Sequence, residues 1–180
     1  MKAFAAFLCA ALTAFGCGAE RQETTDDPID ALIESFSMDR FRGEEKRWNL
    51  KGKQAEIRGK NRVVVHQPQL TLYEEGKTVC VVTGDTGNLD KNSHDMKIHG
   101  NVRAVSNDGE MFSDQLLWNE EDGTLISPGD VELRRGDSTV WAKSMVSEPN
   151  LSKVELLNAT FQLRAKDEKI EPYLLEPTDP

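Results

Sequence analysis

Histidine, cysteine, basic charge and helical periodicity are all scarce in this sequence, and each scarcity removes a class of function. Only three histidines and three cysteines occur in 180 residues. His66, His94 and His99 have no further ligands at metal-site spacing, so no metal and no cofactor is expected. A Gly-x-Ser-x-Gly elbow and a phosphate-cradling glycine loop are both missing. Carboxylates such as Asp108 and Glu110 gather at turns, where aspartate supports backbone geometry. The chain is therefore expected not to be an enzyme. A glycosidase-type carboxylate pair that meets only in space is the alternative left open. Beyond residue 17 the only cysteine is Cys80, between Val79 and Val81 in a strand pattern, which makes it a small core residue. Lys+Arg number 22 against 31 Asp+Glu, a net charge of −9. That balance disfavours nucleic acid and anionic membrane surfaces as partners. No window after Phe36 carries a helical period.

Long hydrophobic runs are also absent. The longest, residues 3–15, follows Lys2 and is too short to span a hydrocarbon core of roughly 30 Å as a helix. It ends Ala14-Phe15-Gly16-Cys17, similar to a bacterial lipobox, with Ala14 where leucine is usual and a bulky Phe15. Residues 1–16 are read as a lipoprotein-type signal peptide and Cys17 as the point of lipid attachment. An ordinary secretory signal with an incidental cysteine is the other reading. Residues 17–32 form an acidic tether with a helical turn expected near 29–33, residues 33–165 a β-domain, and residues 166–180 a charged tail containing Pro172, Pro177 and Pro180.

What is present is a repeat. Met96-Lys97-Ile98-His99-Gly100-Asn101-Val102 returns about 29 residues later as Leu125-Ile126-Ser127-Pro128-Gly129-Asp130-Val131, and more weakly as 154–161 around Asn158. Each copy alternates apolar and polar residues around a glycine or asparagine, which is strand chemistry with a bend or bulge. Gly100 and Gly129 occupy equivalent places. Such a unit cannot bury its own apolar face, so units must stack. Other strands start at Phe36, Trp48, Val63, Leu70 and Val79. Asn107-Asp108-Gly109 reads as a hairpin turn with positive φ, and 84–92 reads as loop. The fold class is all-β: an open, twisted antiparallel β-jellyroll of repeated hairpin units with exposed edge strands. Its apolar face offers Phe36, Met38, Trp48, Leu50, Leu70, Leu72, Met96, Ile98, Val102, Met111, Leu116, Trp118, Ile126, Val131, Leu133, Val140, Leu156 and Phe161. At least half of these are expected to be plain core.

The order and spacing of these segments carry a family resemblance. Trp48-Asn49-Leu50 with Ala55, Leu70-Thr71-Leu72-Tyr73, Gly100-Asn101-Val102, Asp108-Gly109, Leu116-Leu117-Trp118, and Val131 with Arg135-Gly136 stand in sequence over residues 33–163. Together they resemble the LptC family of lipopolysaccharide export proteins, with the Gly-Asn-Val unit shared with LptA and the periplasmic part of LptD. The resemblance implies a periplasmic protein, attached to the inner membrane, whose apolar groove binds lipopolysaccharide. It implies an ABC transporter with LptF/LptG-like permeases at the N-terminal edge and an LptA-like carrier at the C-terminal edge. Known members hold on by a transmembrane helix; here the lipid on Cys17 takes that place. A soluble LptA-like carrier and a structural β-repeat lipoprotein are the alternatives.

Overall fold

The computed structural model describes residues 28–162. Cys17, the 1–16 signal, most of the 17–32 stretch and the 166–180 tail lie outside the described residues. Every regular element among them is a strand, and every strand pairing is antiparallel. The elements are β1 (Ile29–Arg42), β2 (Glu45–Arg58), β3 (Arg62–His66), β4 (Gln69–Glu74), β5 (Lys77–Thr83), β6 (Thr86–Asp90) and β7 (Met96–Ser106). They continue with β8 (Glu110–Asn119), β9 (Thr124–Ser127), β10 (Val131–Arg135), β11 (Ser138–Ala142), β12 (Ser144–Ser147), β13 (Val154–Leu157) and β14 (Thr160–Gln162).

The 14-stranded sheet is folded into two layers that share their long strands. One layer runs β1–β2–β4–β5–β7–β8–β10–β11–β14. The other runs β1–β2–β3–β6–β7–β8–β9–β12–β13. The division within a strand is visible in its partners. Residues 48–51 of β2 pair with β4, while 54–58 pair with β3. Likewise, 103–106 of β7 pair with β5, while 96–99 pair with β6. The layers close on each other because alternation leaves one apolar face, which the described residues cover only by packing the sheet on itself.

The bends fall along one line, a crease across the whole roll. Ser35 in β1 (φ 54°), Gln67 between β3 and β4 (φ 51°), Gly100-Asn101 in β7 (φ 72° and 47°) and Asn158 between β13 and β14 (φ 53°) all lie on it. Backbone bonds tie it together: Gln67 N–H donates to Asp85 O at 2.9 Å, and Asp85 N–H reaches both His99 O and Gly100 O at 3.0 Å. Asn101 Nδ2 donates to Asp85 Oδ2 at 2.7 Å. The repeat thereby gains a physical meaning. Each copy is one crossing of the crease in the same direction, β7, then β9–β10, then β13–β14, and the return crossing fills the rest of the period.

Four local expectations are corrected. Residues 29–33 are strand, not a helical turn, because residues 55–58 of β2 offer them a ladder. The stretch 84–92 contains β6, which is clamped between β3 and β7 despite its poor strand propensity. Gly87 fits there because Pro68 packs within 3.3 Å of where a Cβ would stand. The 107–109 hairpin forms, but neither Asp108 nor Gly109 has positive φ. Gly109 is needed instead because Arg134 O approaches to 2.6 Å of the missing Cβ. Finally, Gly100 and Gly129 are not equivalent in conformation. A side chain at Gly100 would be left-handed and would strike Asp85, whereas Gly129 has no positive φ and nothing within 4 Å.

Gly100→Val is therefore expected to cost about 2 kcal/mol or more, from backbone strain plus displacement of Asp85. Gly129→Ala should change stability by less than about 0.5 kcal/mol. Thermal melts of the two variants check this; equal melting temperatures would remove the distinction.

Candidate functional site

The interior between the layers is the candidate site, and the structure brings most of the expected residues into it. Trp48, Leu50, Leu70, Leu72, Met96, Ile98, Val102, Met111, Leu116, Trp118, Val131 and Leu133 form one cluster, each no more than 4% exposed. Phe36, Met38, Val140 and Leu156 pack against its margin. Two residues do not belong. Phe161 is 63% exposed, because β14 pairs with β11 alone among the described residues. Ile126 lies on the outer face, and its neighbour Leu125 takes the core position. That slip of one residue inverts facing, as strand periodicity requires. Val65, Leu89, Met145 and Leu151 are buried members that the sequence did not single out.

Away from the crease, each layer ends in hairpin tips, and the two rows of tips form a mouth. It is tied in two places. At the first, Glu120, which directly follows β8 and is 3% exposed, is held by groups from both layers. Trp48 Nε1 of one layer and Trp118 Nε1 of the other donate to the same oxygen, Glu120 Oε2, at 3.0 and 3.2 Å. The other oxygen, Oε1, faces Arg40 Nε at 3.7 Å and Arg42 Nη2 at 3.9 Å. Arg42 Nη2 also donates to Glu120 O at 3.3 Å, and Asp95 Oδ1 accepts from Glu120 N at 2.9 Å. Neither Arg40 Nε nor Glu120 Oε1 completes a hydrogen bond. At the second tie, Arg135 Nη2, beside the β10–β11 tip, donates to Leu151 O and, at 3.2 Å, to Ser152 O in the β12–β13 loop. No pattern in the sequence marks Glu120: one acid near the Glu121-Asp122-Gly123 turn looks like turn chemistry.

Among the described residues the strands at both ends of the roll have one neighbour each: β1 pairs with β2, β13 with β12 and β14 with β11. Ile29, Leu32, Ile33 and Phe41 at one end and Leu157 and Phe161 at the other are 37–63% exposed. Unpaired edges flanked by apolar side chains are templates for a further strand.

The His66–Glu56 pair and the Phe112 cluster lie outside the interior. His66 Nε2 stands 2.9 Å from Glu56 Oε1 on the outer face, and this contact together with Arg58 holds the Glu56 carboxyl below its ordinary range. Among the described residues no group of three or more His, Cys, Asp or Glu could hold a metal ion. No helix among them is long and apolar enough to cross a membrane. Outside the mouth, Phe112 on β8 is flanked by the guanidinium groups of Arg134 at 4.5 Å and Arg103 at 5.9 Å, on the wall of a surface cleft that also includes Trp141.

Comparison with known proteins fits this geometry. The model of the family described as lipopolysaccharide-assembly, LptC-related, matches residues 3–161. Among solved structures, the chain is similar to LptH from Pseudomonas aeruginosa, described as the LptA-homologous periplasmic component of a lipopolysaccharide transport device. The TM-score is 0.53 at 10% identity, covering 66% of this chain and 95% of that one. At that identity the likeness is one of fold. A search of curated proteins found no match.

Cys80 reports on whether the interior is closed. Its side chain is 1% exposed, and burial pushes its thiol up to about 12. At pH 8 the native thiol should react with a water-soluble disulfide reagent at least about a hundredfold slower than in denaturant. Native labelling at the denatured rate would show that the interior is open to water.

Proposed function

The chain belongs to the LptC-related family of lipopolysaccharide-assembly proteins, and on that premise we propose that it is a membrane-anchored periplasmic station of lipopolysaccharide transport. It receives lipopolysaccharide from an inner-membrane ABC transporter and passes it to an LptA-like carrier. The observation that supports this reading best is a sheet creased around one continuous apolar interior, with an edge at each end that is unpaired among the described residues. Acyl chains take the place of water-free packing between the layers. Trp48, Leu50, Leu72, Met96, Ile98, Val102, Met111, Leu116, Trp118, Val131 and Leu133 are the wall, with Phe36 and Met38 at its margin. Lipid on Cys17, in the inner membrane, distinguishes this role from that of a soluble carrier.

Direction comes from the edges. β1 faces the transporter, through LptF/LptG-like permeases, and β13 and β14 present two short edges, one per layer, to the first strand of the carrier. Unlike ends joined in this way give a head-to-tail array with a continuous interior.

Transfer also limits affinity. Burying one CH₂ contributes ~0.8 kcal/mol, so a fully enclosed chain of about twelve carbons approaches ~9 kcal/mol. Several chains enclosed at once would not leave. Partial burial, against side chains that otherwise pack on each other, keeps release possible.

A photo-crosslinking amino acid at Met111 is expected to label lipopolysaccharide in an ATP-dependent way in membranes that contain the transporter. The same probe at Phe112, one residue along β8 on the outer face, should label at least about tenfold less. Equal labelling from both positions would overturn the interior path.

A further inference from the structure

The interior described above offers no free lipid surface: its apolar side chains are buried against each other, and Leu50, Met96 and Met111 are fully enclosed. If lipid enters between the layers, the layers must part. The crease cannot be the place, because β1, β2, β7 and β8 cross it as continuous chain and Asp85 is bonded across it. The mouth is the place, and what holds it is side-chain chemistry.

We infer that Glu120 is a latch that keeps the mouth shut and is released when lipid is loaded. This deepens the proposed function and rests on it. Glu120 is the point where the two layers share one group. Trp48 and Trp118 meet on one oxygen, and Arg40 and Arg42, on the edge strand assigned to the transporter side, face the other. Two properties make it a latch rather than a permanent clasp. First, the ion pairs are long, and Arg40 Nε and Glu120 Oε1 lack hydrogen-bond partners, so the closed form leaves polar groups incompletely satisfied. Water admitted at the mouth would complete those bonds, which narrows the gap between shut and open. Second, two of the holding groups come from β1. A strand added to the β1 edge would move Arg40 and Arg42 and so reach the latch directly. Docking at the transporter end is thereby coupled to opening, with the crease as hinge. Arg135 and Leu151 tie the opposite end of the mouth. Opening therefore starts at the β1 end, where lipid arrives.

Hydrogen–deuterium exchange on the full chain, together with lipopolysaccharide crosslinking from Met111, tests this in Glu120→Gln, which keeps the shape and removes the charge. Exchange should rise on the order of tenfold in residues 40–48 and 117–124 while β4, β5 and the crease keep their protection. Crosslinking yield should rise as well. Adding Arg40→Gln to Glu120→Gln should change exchange no further, since both act through one contact. A uniform loss of protection across the domain would mean that Glu120 is only a fold-stabilising residue. Unchanged exchange would mean that it holds nothing shut. Either result overturns the latch. If Met111 labels lipopolysaccharide in neither protein, the interior path fails, and the exchange pattern alone decides the latch.

Discussion

A continuous sheet can bury its apolar face against itself only if every strand bends at the same height, and this requirement organises the molecule. The bends at Ser35, Gln67, Gly100-Asn101 and Asn158 are in register because a strand bent elsewhere would bring polar residues into the interior. Long strands meet the requirement with a kink, and paired short strands meet it with a linker such as Pro128-Gly129-Asp130 between β9 and β10. Gly100 is the strictest of these points, since its backbone is left-handed and Asp85 occupies the space beside it. The crease creates both remaining features of interest: an enclosed apolar interior on one side and a mouth of hairpin tips on the other.

The two sides differ in kind. Chain continuity and backbone hydrogen bonds hold the crease, and separating it would mean unfolding. Indole, guanidinium and carboxyl groups hold the mouth, and several of their bonds are long or incomplete. Strong directional bonding on one side and looser ionic contact on the other is the mechanical arrangement of a hinge. In the proposed role this asymmetry lets the layers yield apolar surface to acyl chains without losing the register of the edge strands.

The alternation of apolar residues made the fold legible, and it placed Trp48, Leu50, Leu72, Met96, Ile98, Val102, Met111, Leu116, Trp118, Val131 and Leu133 on the inner face. It failed where a single residue decides facing, as at Leu125 and Ile126, since two adjacent aliphatics carry no phase. Composition misled at 84–92, where Gly87 and Asn88 look like loop but lie between two ready strands. The equivalence of Gly100 and Gly129 was right as a position in the repeat and wrong as a conformation, because only one of them has a neighbour in the way. Phe161 illustrates a different limit: alternation predicts a face, but whether anything covers that face depends on where the roll stops. Glu120 was invisible for a related reason. Its partners Trp48 and Arg40 are far away in sequence, and only the folded layers bring them together.

The proposed function turns on one arrangement, acyl chains lying between the layers. It is met most directly by measuring intermolecular nuclear Overhauser effects between acyl-chain protons of lipopolysaccharide and labelled methyl groups of the protein. Contacts are expected to the methyls of Met96, Met111 and Ile98, which are buried between the layers, and none to outward-facing Val146. Contacts confined to Val146 and the exposed edge residues, with the interior methyls silent, would contradict it.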